Sequence, residues 1–327
     1  MFLGIDHGTT SIRFASAEED CFELGRIEAS SLSSEEIIER IKHHLNIEKA
    51  ELVALTYSMG DGLTRIVKIE DASNRGLIQQ DGAGQHVGGG TKVFDAIKNS
   101  GWPAVLLPGI HRRSEIDPRL KVFSHGMSPE KVGLAYGIFR RGVKSFIVSD
   151  ASSNTVTFGV LNGKIVGAID APIFAPGLTQ GPLDVEAIRN VDAGLITANE
   201  AFTRGGILQK MGIGSLEDCS IEQRNHCLES LALFVSMEIS AMAILLRDLG
   251  EQTPRLFLAG SPANLIERRV SEFLDSEISS LDRCAAAQGC AWIAQDIFAG
   301  AESILGIEVD ERARHSSNTK CVNSLIR

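Results

Sequence analysis

The chain has 327 residues, 43% hydrophobic and 23% charged, a globular composition long enough for two domains or one large α/β unit. Its 32 Lys and Arg stand against 42 Asp and Glu, a net charge of −10. That balance argues against nucleic acid or anionic lipid as the main partner, since both demand a basic surface. No basic segment precedes the first apolar run and no apolar run approaches bilayer length, so a cytoplasmic protein away from the membrane is expected.

The opening "MFLGIDHGTTSIRFAS" predicts a strand over 2–5 and a second, alternating one through Ile12 and Phe14. Between them lies a tight turn carrying Asp6, Gly8, Thr9 and Thr10. Such a turn can offer several backbone N–H groups to one anion while its carboxylate meets the accompanying cation. An ordinary hairpin would use the same residue types. Next, "SSEEIIERIKHHL" predicts a helix capped by Ser33 or Ser34, with Ile37, Ile38, Ile41 and Leu45 on its apolar face. "LVALTYS" (52–58) is again a strand.

The run "DGAGQHVGGGTKVFDAIKNSG" (81–101) is glycine-rich but is neither a P-loop nor a dinucleotide fingerprint. It reads as a substrate loop ending at a helix N-terminus near Thr91, with His86 or Lys92 reaching the ligand, or as a surface loop. "IHRRSEIDPR" (110–119) gathers His111, Arg112, Arg113 and Arg119, either a solvated basic turn or a clamp for an anionic substrate led by Arg112.

The segment "FIVSDASSNTVTFGVLNGKIVGAIDAP" then mirrors the opening, with Asp150 on Asp6, Ser153 and Asn154 on Thr9 and Thr10, and Phe158 on Phe14. Its later turn, Asn162-Gly163, is a strong two-residue hairpin signal. Helical stretches over 220–249 and the strand "RLFLAG" (255–260) complete a second half built like the first. The six cysteines, at 21, 219, 227, 284, 290 and 321, form no C-x-x-C pair and are expected to be reduced, chiefly packing residues. No Ser-His-Asp arrangement can be picked from eight scattered histidines.

In their order, these segments resemble the superfamily of acetate and sugar kinases, heat-shock ATPases and actin (ASKHA). The matching pieces are Asp6-His7-Gly8-Thr9-Thr10, Asp150-Ala151-Ser152-Ser153-Asn154-Thr155, "LFLAGSPANL" (256–265) and two candidate hinge helices, 130–142 and 284–298. Ser152 stands where the family usually has glycine, and Gly260 stands alone where a glycine pair is common. Within the superfamily, "MFLGIDHGTTSIRFA", "DGAGQHVGGGTKVFDAI" and "GPLDVEAIRNVDAG" resemble the archaeal methanogenesis marker protein 12 family, whose reaction is not established.

The resemblance implies an α/β chain of two duplicated ribonuclease-H-like domains (1–142, and 143–327 with a helical insertion) around a nucleotide cleft, the actin-like ATPase fold. It implies ATP and Mg²⁺ as cofactors. Asp6 and Asp150 would hold the metal, with Asp150 also the activating carboxylate. Gly8, Thr9, Thr10, Ser152, Ser153, Asn154 and Thr155 would take the phosphates, Gly260 and Asn264 the adenosine. Lys92, His86 and Arg112 are the substrate candidates. The implied activity is phosphoryl transfer to an anionic small molecule or to water, in a methanogen-specific cytoplasmic process. The alternative is a nucleotide-dependent regulatory or assembly protein acting on a protein partner; a homodimer is compatible with either. The segment "FAPGLTQGPLDVEAIRN" (174–190) is similar to the acetate-kinase loop around the acyl phosphate. Gln180 replaces its arginine, so simple acetate or butyrate kinase activity is not expected. Gly133 and Gly137 on one hinge helix, and Ala286, Gly289 and Cys290 on the other, make small-residue stripes. These are expected to cross, either as a closing hinge between the halves or as static packing.

Overall fold

The computed structural model describes residues 1–58, 61–76 and 88–314. Contacts divide the chain into two units. Unit 1 takes 1–115, 121–142 and the chain from Cys284 on; unit 2 takes 116–120 and 143–283.

Unit 1 opens with β1 (Phe2–His7), β2 (Ser11–Ser16) and β3 (Cys21–Gly25), followed by α1 (Arg26–Ser31) and α2 (Ser34–Leu45). Ser33 caps α2: its hydroxyl accepts from Glu36 N–H at 3.2 Å while the Glu36 carboxylate accepts from Ser33 N–H at 2.7 Å. Then come β4 (Leu52–Leu55), β5 (Val67–Lys68), α3 (Gly89–Asn99), β6 (Ala104–Leu106), the short pair β7 (Ile110–His111) and β8 (His125–Met127), and α4 (Glu130–Arg140). The main sheet runs β3-β2-β1-β4-β6-β5, antiparallel across β1–β3 and parallel from β1 through β4 to β6. Ile37, Ile41 and Leu45 of α2 and Val93, Phe94 and Ile97 of α3 share one core with the strand residues Leu3, Ile5, Phe14, Val53 and Leu55.

Unit 2 contains β9 (Phe146–Ala151), β10 (Thr155–Leu161), β11 (Lys164–Ile169), α5 (Val185–Asp192), α6 (Ala198–Thr203), α7 (Ile207–Lys210), α8 (Ile221–Asp248), β12 (Arg255–Ala259), α9 (Ala263–Leu274) and β13 (Ile278–Ser280). Its sheet runs β11-β10-β9-β12-β13, with the same order and directions as the first five strands of unit 1. Asn162 and Gly163 both take positive φ (48° and 75°), the two-residue turn that joins β10 to β11. The duplication read in the sequence is therefore a duplication of topology.

Its register differs by one. Asp6 faces Arg13 across β1–β2, seven residues on, whereas Asp150 faces Val156, six residues on. The second turn is one residue tighter. Phe14 pairs with Ile5, but Phe158 pairs with Val148, two positions before its Asp. A one-residue slip reverses the face. Phe14 accordingly joins the α2–α3 core, while the neighbour of Phe158, Gly159, is the residue turned toward Met242 and Leu246 of α8.

The chain returns to unit 1 through α10 (Ala285–Phe298), β14 (Ser303–Ile304), β15 (Ile307–Glu308) and α11 (Glu311–Arg314). This corrects the expected second domain, 143–327, because α10 packs on β1 and α4. A Cβ on Gly4 of β1 would lie 2.0 Å from the Ala287 carbonyl oxygen, and one on Gly289 would lie 1.9 Å from that of Gly133. The small-residue stripes do cross, but both helices belong to unit 1, so the crossing is packing inside one unit and not a joint between two.

Two further expectations fail. Cys21 and Cys284 form a disulfide that ties the start of β3 to the head of α10; Cys219, Cys227 and Cys290 are free. Cys321 lies outside the described residues. Helix α8, with 28 residues, is long and apolar enough to cross a membrane by length and composition. Here Cys227, Leu231, Val235, Ile239, Met242 and Leu246 face the core of unit 2.

Candidate functional site

In unit 1, β1 delivers Asp6 at its end, 3% exposed, and β2 delivers Arg13 directly opposite. Arg13 Nη1 donates to Asp6 Oδ2 at 3.2 Å; Asp6 Oδ1 is buried with no hydrogen-bond partner. The Asp6 carboxyl is pushed up to about 6, first by burial and then by the neighbouring Glu130, against the opposing charges of Arg13 and Lys131. Glu130 and Lys131 begin α4. Ser128 Oγ donates to Glu130 Oε1, and Lys131 Nζ donates to the same oxygen at 2.8 Å. A carboxylate at a helix start complements the macrodipole, and Glu130 is the acid in the first turn of α4. Its nearness to Asp6 is a tertiary fact. The turn itself, Gly8-Thr9-Thr10, lies toward solvent, and a Cβ at Gly8 would come within 2.8 Å of Ser11 O and 3.0 Å of Arg13 Nη1.

In unit 2, β9 delivers Asp150, 7% exposed, and Ser152 Oγ donates to its Oδ1 at 2.7 Å. Ser152, Ser153 and Asn154 form the turn, closed by Ser152 N–H to Asn154 O at 2.8 Å. Two glycines from elsewhere press against it. Gly260 has φ +99°, and a Cβ there would sit 1.9 Å from Ala151 O and 2.6 Å from Ser152 Oγ; one on Gly177 would sit 2.4 Å from Asn154 Cα. The family glycine missing at Ser152 is thus met by glycines in the segments that cover the turn. The acetate-kinase-like loop is one of them: Leu178 N–H donates to Ser152 O, and Thr179 and Gln180 N–H donate to Ser153 O, at 2.8 to 3.0 Å. Thr155 Oγ1 donates to Pro176 O at 3.0 Å, and Ala175 N–H donates to Glu238 Oε1 at 3.0 Å. Burial pushes the Glu238 carboxyl up to about 7, despite hydrogen bonds from Thr157 and Ala175. Asn264 is exposed in the first turn of α9, close in sequence to Gly260.

Of the substrate candidates, Lys92 and Arg112 are described. His86 lies outside the described residues, with the rest of 81–87 in the glycine-rich run. Lys92 is exposed on α3, and Arg112 is exposed in the turn after β7. In the same turn His111 is buried, with its ring bonded to Leu63 O at 2.9 Å, and Arg119 pairs with Asp117 and Asp248. Among the described residues no group of three or more His, Cys, Asp or Glu side chains is arranged to hold a metal.

A scan against protein-family models finds no match. The chain is 49% identical over 322 residues to a UPF0285 protein of Methanosarcina mazei, covering 94% of this chain and 99% of that one. It is 42% identical over 326 residues to the UPF0285 protein MJ1370 of Methanocaldococcus jannaschii, covering 94% and 98%. Among solved structures it is similar to acetate kinase from Entamoeba histolytica, with TM-score 0.55 and 9% identity over 84% of this chain and 86% of that one. Porphyromonas gingivalis acetate kinase gives 0.54 and 10% over 90% and 99%. At such identities the likeness speaks for the fold alone, and it agrees with the strand order repeated in the two units. The chain belongs to the UPF0285 family and has the actin-like fold of the acetate and sugar kinase, heat-shock ATPase and actin superfamily.

Proposed function

We propose that the protein binds ATP with Mg²⁺ and transfers the γ-phosphoryl group to an anionic small molecule or to water. The observation that carries this reading is the repetition. Each unit has the same five-strand order, and in each the first strand carries a buried Asp one residue before its end, ahead of a hydroxyl-rich turn. Phosphoryl transfer is largely positioning and charge neutralisation, and these turns supply both.

Asp6 fits a hard cation. Its Oδ1 is shut off from solvent with no donor, and Glu130 beside it raises the cost of its charge. Mg²⁺ dehydrates reluctantly and is held by one or two carboxylates plus waters and phosphates, so it does not need the three-ligand cluster that is absent among the described residues. When bound, the ion would neutralise phosphate oxygens. Asp6 would anchor it, and Gly8, Thr9, Thr10, Ser152, Ser153, Asn154 and Thr155 are the candidates to donate to the phosphate tail. Gly260 and Asn264 would flank the adenosine. Asp150 would accept the proton of the attacking group, with Ser152 orienting its carboxylate; Glu130 would orient water near Asp6. A cytoplasmic, methanogen-specific role belongs to the same reading and fits the archaeal relatives.

Asp150→Ala is expected to lower ATP turnover at least ~100-fold, the size of a lost general base, with Mg-ATP affinity nearly kept. Asp6→Ala is expected to weaken chiefly the metal-bound nucleotide. Steady-state turnover and calorimetry on both variants check this. Equal loss of binding in two well-folded variants would refute the division of roles.

A further inference from the structure

Helix α8 carries an apolar face turned to solvent. Leu233, Met237 and Ile244 are 43%, 47% and 64% exposed. They share one side of the helix with Ser230, Ser240 and Arg247, because these positions follow one another at alternating steps of three and four. That is the spacing of a coiled-coil seam, and it lies opposite the inward stripe of Leu231, Val235, Ile239, Met242 and Leu246. Single exposed apolar residues are ordinary, whereas a continuous row marks a contact surface. The serines do not make the row polar. Ser230 Oγ donates to His226 O at 2.9 Å and Ser240 Oγ to Ser236 O at 2.8 Å, so both hydroxyls are spent on the helix itself. Phe234, three residues before Met237, widens the row: Phe174, 39% exposed, stands edge-on to it with ring centroids 5.7 Å apart.

The row is complementary to its own reverse. Take two copies related by a two-fold axis that crosses the helix between Glu238 and Ile239. Met237 then meets Ser240 of the other copy, Leu233 meets Ile244, and Ser230 meets Arg247. At the centre each large side chain faces a small one, which lets the helices approach closely. A parallel pair would set Met237 on Met237 and Ser240 on Ser240, crowding one layer and leaving a gap at the next. Charge selects the same direction. Glu229, half exposed although it pairs with Arg269 at 2.9 Å, flanks the start of the row, and exposed Arg247 closes it. Antiparallel copies bring each Arg247 beside the other Glu229 and oppose the helix dipoles, whereas parallel copies set like charges together. The net charge of −10 disfavours an anionic lipid surface as the occupant.

We propose that the outward face of α8 is the seam of a homodimer, two copies of this chain packed antiparallel about an axis near residues 238–239. From Ser230 to Arg247 the seam runs ~26 Å at the helical rise. That is short for a permanent interface, so the dimer is expected to be reversible, with a dissociation constant in the micromolar range. The proposal stands apart from phosphoryl transfer, in which none of these seam residues takes part.

The test is sedimentation velocity on the full chain from ~1 to ~200 µM, a range that spans micromolar affinity. The mass is expected to rise from that of the 35.2 kDa monomer toward twice that value. Met237→Glu and Ile244→Glu, both at exposed positions, are each expected to weaken association at least tenfold; Lys49→Gln, an exposed charge on another element, should leave it unchanged. Cooperative melting of each variant controls for folding. A short bismaleimide reports the direction of packing. It is expected to join Leu233→Cys to Ile244→Cys when the two variants are mixed, above the background of the parent chain. Neither variant should join to itself, because equivalent positions lie ~16 Å apart along an antiparallel seam. A monomer at every concentration, or a dimer unaltered in both glutamate variants, would overturn the proposal. So would self-joining of each cysteine variant, which marks parallel packing, or a monomer that floats with neutral phosphatidylcholine vesicles, which assigns the face to lipid.

Discussion

Gly289→Ala is expected to cost ~3 kcal/mol or more of stability, or to prevent folding, whereas Gly137→Ala should stay within ~1 kcal/mol of the parent protein. In a free helix either change would stabilise by about 1 kcal/mol, because alanine has the higher helix propensity. Packing decides the difference. A Cβ on Gly289 would lie 1.9 Å from Gly133 O, 2.7 Å from Gly133 C and 3.0 Å from Gly137 N. All three are backbone atoms, so no rotamer change relieves the clash and α4 must move off α10. Overpacking in a tight core costs ~1–3 kcal/mol where side chains can yield, and more where they cannot. On Gly137 the nearest atom would be Ala285 O at 3.5 Å, an ordinary contact. Urea unfolding of both variants measures the contrast. A Gly289→Ala protein as stable as its parent would refute the close crossing.

Reduction of the Cys21–Cys284 bond is expected to lower stability by ~2–5 kcal/mol. The cysteines are 263 residues apart, so the bond removes the entropy of a very long loop from the unfolded chain. The gain grows only logarithmically with loop length, which keeps the figure in this range. In the folded protein the bond holds the head of α10, whose Gln288 Nε2 and Trp292 Nε1 then donate to Ser16 O and Ala17 O at 2.8 and 3.1 Å. Unfolding with and without reductant should differ in the parent protein and coincide in Cys21→Ser. Alkylation that finds both thiols free in unreduced protein would contradict the bond.

What could be read from the sequence was local. The Asp6 and Asp150 turns, the Ser33 cap, the Asn162-Gly163 hairpin and the strand–helix order each depend on residues near one another in the chain, and they appear where expected. Long-range facts were hidden. Alternation cannot show that the second turn is one residue tighter, so Phe158 looked equivalent to Phe14 although the register turns them differently. Cys21 and Cys284 gave no spacing signal, and nothing in "CAAAQGCAWIAQDIF" shows that it packs on β1 and not with the strands just before it. At the candidate site the carboxylates on strand ends were legible. Glu130 was not, being one acid at a helix start.

The central claim is that the duplicated Asp turns bind a nucleotide with its metal. Isothermal calorimetry of the full chain with ATP, in the presence and absence of Mg²⁺, tests it most directly. Saturable binding of one ATP that requires Mg²⁺, with a matching rise in melting temperature by mass action, is the predicted result. No heat of binding and no thermal shift at millimolar Mg-ATP would contradict it.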